Sequence, residues 1–185
     1  MRYSQDHKAQ THQRIIKEAA ERFRRDGIGA TGLQPLMKAL GLTHGGFYSH
    51  FKSKDDLVEK ALQAAALDLD AHCATLFAQE RPLHAFIDSY LSEWHQTSPG
   101  QGCPLPTMCS ELGLRGQASP TTDVLLNARL GQVQGTLEGE NTAERSIVIM
   151  STLIGALQLS RSVDDPKLAQ RLLDVTRNHL KQSED

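Results

Sequence analysis

The side chains best suited to chemistry in this sequence lie in two stretches. The first runs Thr43-His44-Gly45-Gly46-Phe47-Tyr48-Ser49-His50 and is followed closely by Lys54. Hydroxyl, imidazole and ammonium groups at that density can hydrogen-bond base edges and phosphates. Gly45 and Gly46 each cost about 1 kcal/mol against alanine inside a helix, and a helix surface bare of side chains lets another surface come close. The second stretch holds Cys103 and Cys109, with His95 upstream, the raw materials of a thiol nucleophile. Nothing in the sequence fixes a third group or an oxyanion hole for them. A phosphate-cradling glycine loop, a nucleophile elbow and paired histidines at metal spacing are absent as well. The chain is therefore expected to be no enzyme and to use neither cofactor nor metal. Its cysteines, Cys73, Cys103 and Cys109, are odd in number and lack metal spacing, which argues against a disulfide framework or a zinc site.

The first stretch needs short helices to aim it. Thr43 is a good N-cap for a helix to about His50, roughly 12 Å long and thus about as long as the DNA major groove is wide. Gly41 sits where a tight turn between two helices commonly needs glycine. Phe47 and Phe51, four apart, share a buried face. Thr43, His44, Gly45 and Gly46 lie at the end that enters the groove, and His44 can donate or accept at a base edge. Ser53 and Asp56 have capping-box spacing, so a long helix starts there and runs from about Lys54 towards Ala78. A lysine in its first turn opposes the helix dipole unless an anion rests on Lys54 and the free N–H groups; the alternative is an ordinary exposed lysine. Upstream, Ile15, Ile16, Ala19, Ala20 and Phe23 make one face of a helix from about Ala9 to Asp26, closed by Gly27. Residues 1–8 are expected to fray. A second helix spans Thr31 to Leu40 with Pro35 in its first turn.

The first helix RIIKEAAERFRRDG, Thr31, the helix LQPLMKALGL and the run THGGFYSHFKSKDDL together resemble the TetR family of transcriptional repressors, from Arg14 to about Leu62. The resemblance implies an all-α chain. An N-terminal three-helix helix-turn-helix DNA-binding domain (1–54) would precede a helical ligand-binding and dimerisation domain (55–185). It implies phosphate contacts from Thr31, Tyr48 and His50; capping remains the other role for Thr31, and a half-buried core ring the other role for Tyr48. It also implies that the tilt of the long helix sets the spacing of two recognition helices on a palindromic operator. Met37, Pro35 and Gly46 depart from the family pattern and leave base preference open.

Charge agrees with that division. Residues 1–54 hold ten basic and four acidic side chains, so the formal net charge of −2 hides a basic module on an acidic body. No apolar run marks a secretory signal or a membrane span, so the expected location is cytoplasmic, with no membrane partner.

Helical patterning continues to the C-terminus. Helices are expected at about Leu83–Gln96, Pro106–Leu112, Thr121–Leu137, Thr142–Ser162 and Pro166–Leu180. Asn141 and Asp165 stand at N-cap positions of the last two. The helix from Thr142 is apolar around most of its circumference and must be covered on several sides. In the family the last two helices pair with their copies, which points to Ile147, Met150, Ile154, Gly155, Leu168, Leu172, Val175 and His179 as homodimer contacts; a two-fold DNA site also needs a two-fold protein. A small-molecule effector of unknown identity is expected among the middle helices. The candidate lining is Phe86, Tyr90, Trp94, Cys103, Leu105, Met108, Cys109, Leu125 and Met150. The acidic body hints at a cationic ligand with Glu93 or Glu111 as partner. The competing expectation is a redox or electrophile sensor using Cys103 or Cys109, which requires a thiolate stabilised by a neighbouring cation.

Overall fold

The computed structural model describes residues 2–183, and no strand occurs among them. The first helix, α1, spans Arg2–Asp26, longer than expected: the chain from Arg2 onward is already helical, and no glycine or proline interrupts it before Gly27. Met1 lies outside the described residues. Gly27 ends α1 in the left-handed conformation (φ 89°), its N–H bonded to the Phe23 carbonyl. Helix α2 is Leu33–Ala39, with Gly32 at its N-cap and Pro35 in its first turn. Gly41 (φ 72°) then turns the chain into a tight 3-10 turn, Gly45–Ser49, which leads to α3, Lys54–Phe77. The expected Ser53 cap holds, its Oγ accepting from the Asp56 N–H, while the Asp56 carboxylate reaches one residue further than a capping box requires and accepts from the Lys52 N–H.

The helix expected at Leu83–Gln96 is two helices, α4 (Pro82–Tyr90) and α5 (Glu93–Thr97). The break has a local cause. The Tyr90 carbonyl, which a continuous helix would give to a backbone N–H, is taken by His95 Nδ1 at 2.7 Å. Ser92 Oγ in turn accepts from the His95 N–H and restarts the winding. A wide, π-type turn at Leu105–Cys109 runs into the short α6, Ser110–Leu114. Helices α7 (Pro120–Gln134), α8 (Thr142–Ser162) and α9 (Pro166–Gln182) complete the body. Asp165 caps α9 as expected, accepting from the Lys167 N–H. Asn141 does not cap α8: it adopts the left-handed conformation (φ 56°) and its side chain makes no capping bond.

Two apolar clusters form the core. One holds Ile15, Phe23, Leu36, Phe47, Phe51 and the first half of α3 through Ala65, and also takes in Met108 and Leu112 from the body. The packing of the N-terminal module thus runs past residue 54. The second cluster joins α4, α7, α8 and α9 around Ile87, Leu91, Leu125, Met150, Leu153 and Leu173. Helix α3 belongs to both clusters and is the continuous element between them.

Candidate functional site

The recognition turn is built as an exposed polar edge over a buried ring stack. Phe47 is fully buried and stacks on Phe51 with ring centroids 5.3 Å apart; His12 from α1 stacks on the other side of Phe51 at 4.5 Å. That anchor leaves Tyr48 62% exposed, edge-on to Phe47 at 5.2 Å and to His44 at 6.0 Å. Thr43 and His44 are exposed beside it. Thr43 caps the turn as expected, its Oγ1 accepting from the Gly46 N–H at 3.2 Å, but the winding is a tighter and shorter 3-10 turn than the helix expected. A side chain at Gly45 would meet nothing within 4 Å, so the space before it is open to a second molecule. Gly46 faces Thr43 and is half-buried.

The other expected DNA contacts are differently placed. Thr31 is buried, and its hydroxyl donates to the Gly27 carbonyl at 2.7 Å, so it is not available to a phosphate; its role is to brace the turn after α1. Lys54 turns inward as well: Nζ donates to the Ile28 carbonyl at 2.5 Å. Burial and the nearby Arg115 lower its pKa, against Glu111 and Asp55. This resolves the unfavourable dipole geometry through an internal acceptor instead of an anion. His50 is half-buried between His12 and Phe51, with Nδ1 unpartnered, and burial together with His12 and Lys8 lowers its pKa.

Two hydrogen-bonded links fasten this module to the body. The Glu111 carboxylate on α6 accepts from the Ile28 and Gly29 N–H groups at 2.5 and 2.6 Å and is paired with Arg115. Burial alone would raise the Glu111 pKa, but those donors outweigh it and hold the group ionised at lower pH. From α1, buried Arg24 donates to the Gly102 carbonyl at 3.2 Å. Glu111 is thereby committed to the loop after α1, not to a cationic ligand, and Glu93 lies on a different surface groove.

Gly102 also forms part of the wall of a cavity of about 100 Å³ between α1, α3, α4 and α5. Of the residues expected to line a pocket, Phe86, Tyr90, Trp94 and Cys103 do so. Leu105, Leu125 and Met150 pack in the body core instead, Met108 is buried in the N-terminal cluster, and Cys109 lies between the two clusters with Sγ 3.5 Å from the Thr122 hydroxyl. Sequence reasoning missed Arg24, Asp68, His72 and His95 as lining, since they come from three separate helices. His95 is locked there, Nδ1 on the Tyr90 carbonyl and Nε2 accepting from the Cys103 N–H at 3.0 Å. Burial pulls its pKa down to about 4. Burial also pushes the Cys103 thiol up to about 12 and raises Cys109. Both thiols are thus held protonated, opposite to what the thiol-sensor expectation requires.

On α8 and α9, Ile147, Leu168 and Val175 are exposed, with Leu172, Ile154 and Gly155 half-buried beside them and His179 exposed. Met150 points the other way, into the subunit core, so it is not offered to a second copy. No helix among the described residues is long and apolar enough to cross a membrane.

Comparison with known proteins matches residues 15–61 to the family described as "Bacterial regulatory proteins, tetR family". The chain is 42% identical over 48 residues to the transcriptional regulator AcrR of Shigella flexneri, covering 26% of this chain and 22% of that protein. It is 27% identical over 114 residues to the transcriptional repressor DhaR of Mycobacterium sp. strain GP1, covering 61% and 54%. The chain therefore spans less than two thirds of the length of either relative. A TetR-family transcriptional regulator from Agrobacterium tumefaciens superposes over 95% of this chain and 98% of its own with a TM-score of 0.79 at 17% identity, a likeness of fold. The matched segment is the one that carries α1, α2 and the recognition turn, and over that segment the chain is similar to the TetR family of bacterial regulatory proteins.

Proposed function

We propose that this protein is a dimeric transcriptional repressor that binds a palindromic operator and is released from it by a small molecule held in its C-terminal body. The observation that carries the reading is the recognition turn: its apolar side is fully used in holding it, while Thr43, His44, the bare Gly45 and Tyr48 face solvent together. Such an edge fits backbone and base contacts in a major groove. His44 is the base reader and Tyr48 the phosphate contact. The exposed apolar residues of α8 and α9 suit a second copy, which would set two recognition turns on two half-sites.

Release follows from the two links. Arg24 ties α1 to the cavity wall, and Glu111 ties the loop after α1 to α6. A ligand that displaces the 98–103 loop shifts the module relative to the body, and it switches the protein by as much as it prefers the shifted arrangement.

The test is a mobility-shift assay on the DNA flanking the protein's own gene, with competitor DNA and at stated salt. Competitor-resistant binding is expected. Tyr48→Ala should weaken it about tenfold or more on every sequence, whereas His44→Ala should lose about 1–3 kcal/mol of discrimination at one base position. If neither that DNA nor genome-wide fragment selection yields a specific site, the repressor reading fails.

A further inference from the structure

We infer that the cavity between α1, α3, α4 and α5 is a site for a small, uncharged aromatic molecule carrying one hydrogen-bond acceptor, to which the Tyr90 hydroxyl donates. The site stands on its own geometry; its role as the effector site rests on the regulator reading above.

Tyr90 is 4% exposed and lines the cavity, and its Oη has no hydrogen-bond partner of ordinary geometry. The neighbouring Cys103 thiol is a poor substitute, since sulfur is a weak acceptor. A buried hydroxyl left without a partner is a standing penalty, and most such groups in native proteins are satisfied. The other deep polar groups are already used. His95 has both ring nitrogens bonded, and Arg24 bonds the Ala20 and Gly102 carbonyls. What the cavity lacks is one acceptor opposite Tyr90.

Size and walls fix the rest. A volume of about 100 Å³ is somewhat below the roughly 150 Å³ of an apolar cavity known to admit benzene. A single ring is therefore the upper limit and a fused system is excluded, and any substituent must extend to the mouth at Asp68, His72 and Trp94, all exposed. The rings of Phe86 and Tyr90, 5.7 Å apart, offer aromatic faces and edges. Charge is disfavoured at the deep end. The imidazole and thiol there are neutral, and the Arg24 charge already feels Asp68. A cation would lose its water with no carboxylate at the deep end to replace it, and an anion would meet only Arg24, whose Nε and one amino group are already bonded to the Ala20 and Gly102 carbonyls.

Acetophenone is the probe, with α-methylstyrene, which replaces the C=O by C=CH2, and benzoate as its uncharged and charged controls. Trp94, the only tryptophan, sits in the wall, so its emission reports binding alongside calorimetry. The free protein should bind acetophenone about tenfold tighter than α-methylstyrene, one hydrogen bond's worth, and benzoate more weakly than either. In Tyr90→Phe the two uncharged ligands should bind equally. Equal binding of both by the wild type, tighter binding of benzoate, or no binding of acetophenone would overturn the inference, and none of these needs the variant to fold. Because the readout uses no DNA, failure here leaves operator binding untouched. Conversely, acetophenone binding by a protein with no operator would keep the site and remove the repressor.

Discussion

The recognition turn and the cavity put aromatic and polar groups together in opposite ways. At the turn the rings Phe47 and Phe51 are sunk in the core and the polar atoms of His44 and Tyr48 stand in solvent, where unmade hydrogen bonds cost nothing because water supplies them. In the cavity Tyr90, His95 and Cys103 are all buried, so every polar atom must find a protein partner, and the one that does not marks the place for a ligand. The first surface therefore loses function without losing stability when its outward groups are removed. The second couples the two, because its polar groups also hold α4, α5 and the 98–103 loop together.

The largest expected effect breaks the scaffold under the turn. Phe47→Ala empties a fully buried ring site and should cost about 3–5 kcal/mol, as large-to-small changes at aromatic core sites do. Thermal unfolding followed by circular dichroism should show a markedly lower midpoint, whereas Tyr48→Ala at the neighbouring position should leave the midpoint within about a degree or two. Equal shifts for the two would dissolve the contrast between anchor and edge.

The cavity side should reveal itself through pH. His95 is neutral in the folded protein with a pKa of about 4, but titrates near 6.5 when unfolded. Between those values the unfolded chain binds the extra proton, so stability is full above pH 6.5 and falls as pH drops towards 4. The total is about 3 kcal/mol by linkage. Denaturant midpoints measured across that window should decline, and His95→Gln, which keeps a donor and an acceptor, should flatten that part of the curve even though it lowers stability at neutral pH. An unchanged slope in His95→Gln would mean that other groups carry the acid sensitivity.

The same contrast explains what the sequence disclosed. The turn is written in one short run: Gly41, Thr43, the Phe47/Phe51 pair and the Ser53/Asp56 cap all act on residues within a few positions, so spacing alone reveals them. The inward turn of Lys54 onto Ile28 and the burial of Thr31 depend on contacts with the loop after α1, and the local pattern suggested the opposite. In the cavity, Phe86, Tyr90 and Trp94 were legible as an aromatic stripe and Cys103 as a loop residue. Arg24 arrives from α1 and Asp68 and His72 from α3, more than a dozen positions away, and no period connects them; His95, beside Trp94, takes its place by capturing the Tyr90 carbonyl. The split between α4 and α5 was hidden for a related reason: a side chain, His95, captures a backbone carbonyl, which an apolar repeat does not encode.

The smallest of the expected effects concerns the seam between the two regions. In Glu111→Gln one of the two oxygens that accept from Ile28 and Gly29 becomes an NH2 group facing a donor, and the charge that strengthens the other bond is gone. The loss should be about 1.5–3 kcal/mol of local stability, within the range for hydrogen bonds to charged groups. Amide exchange at Ile28 and Gly29 should accelerate while the core amides of α8 keep their protection, since that helix packs on a different cluster. If Glu111 transmits the state of the body to the module, the variant should also bind operator DNA with less response to the cavity ligand; if exchange at the loop quickens and the response is unchanged, Arg24 and its bond to Gly102 carry the coupling alone.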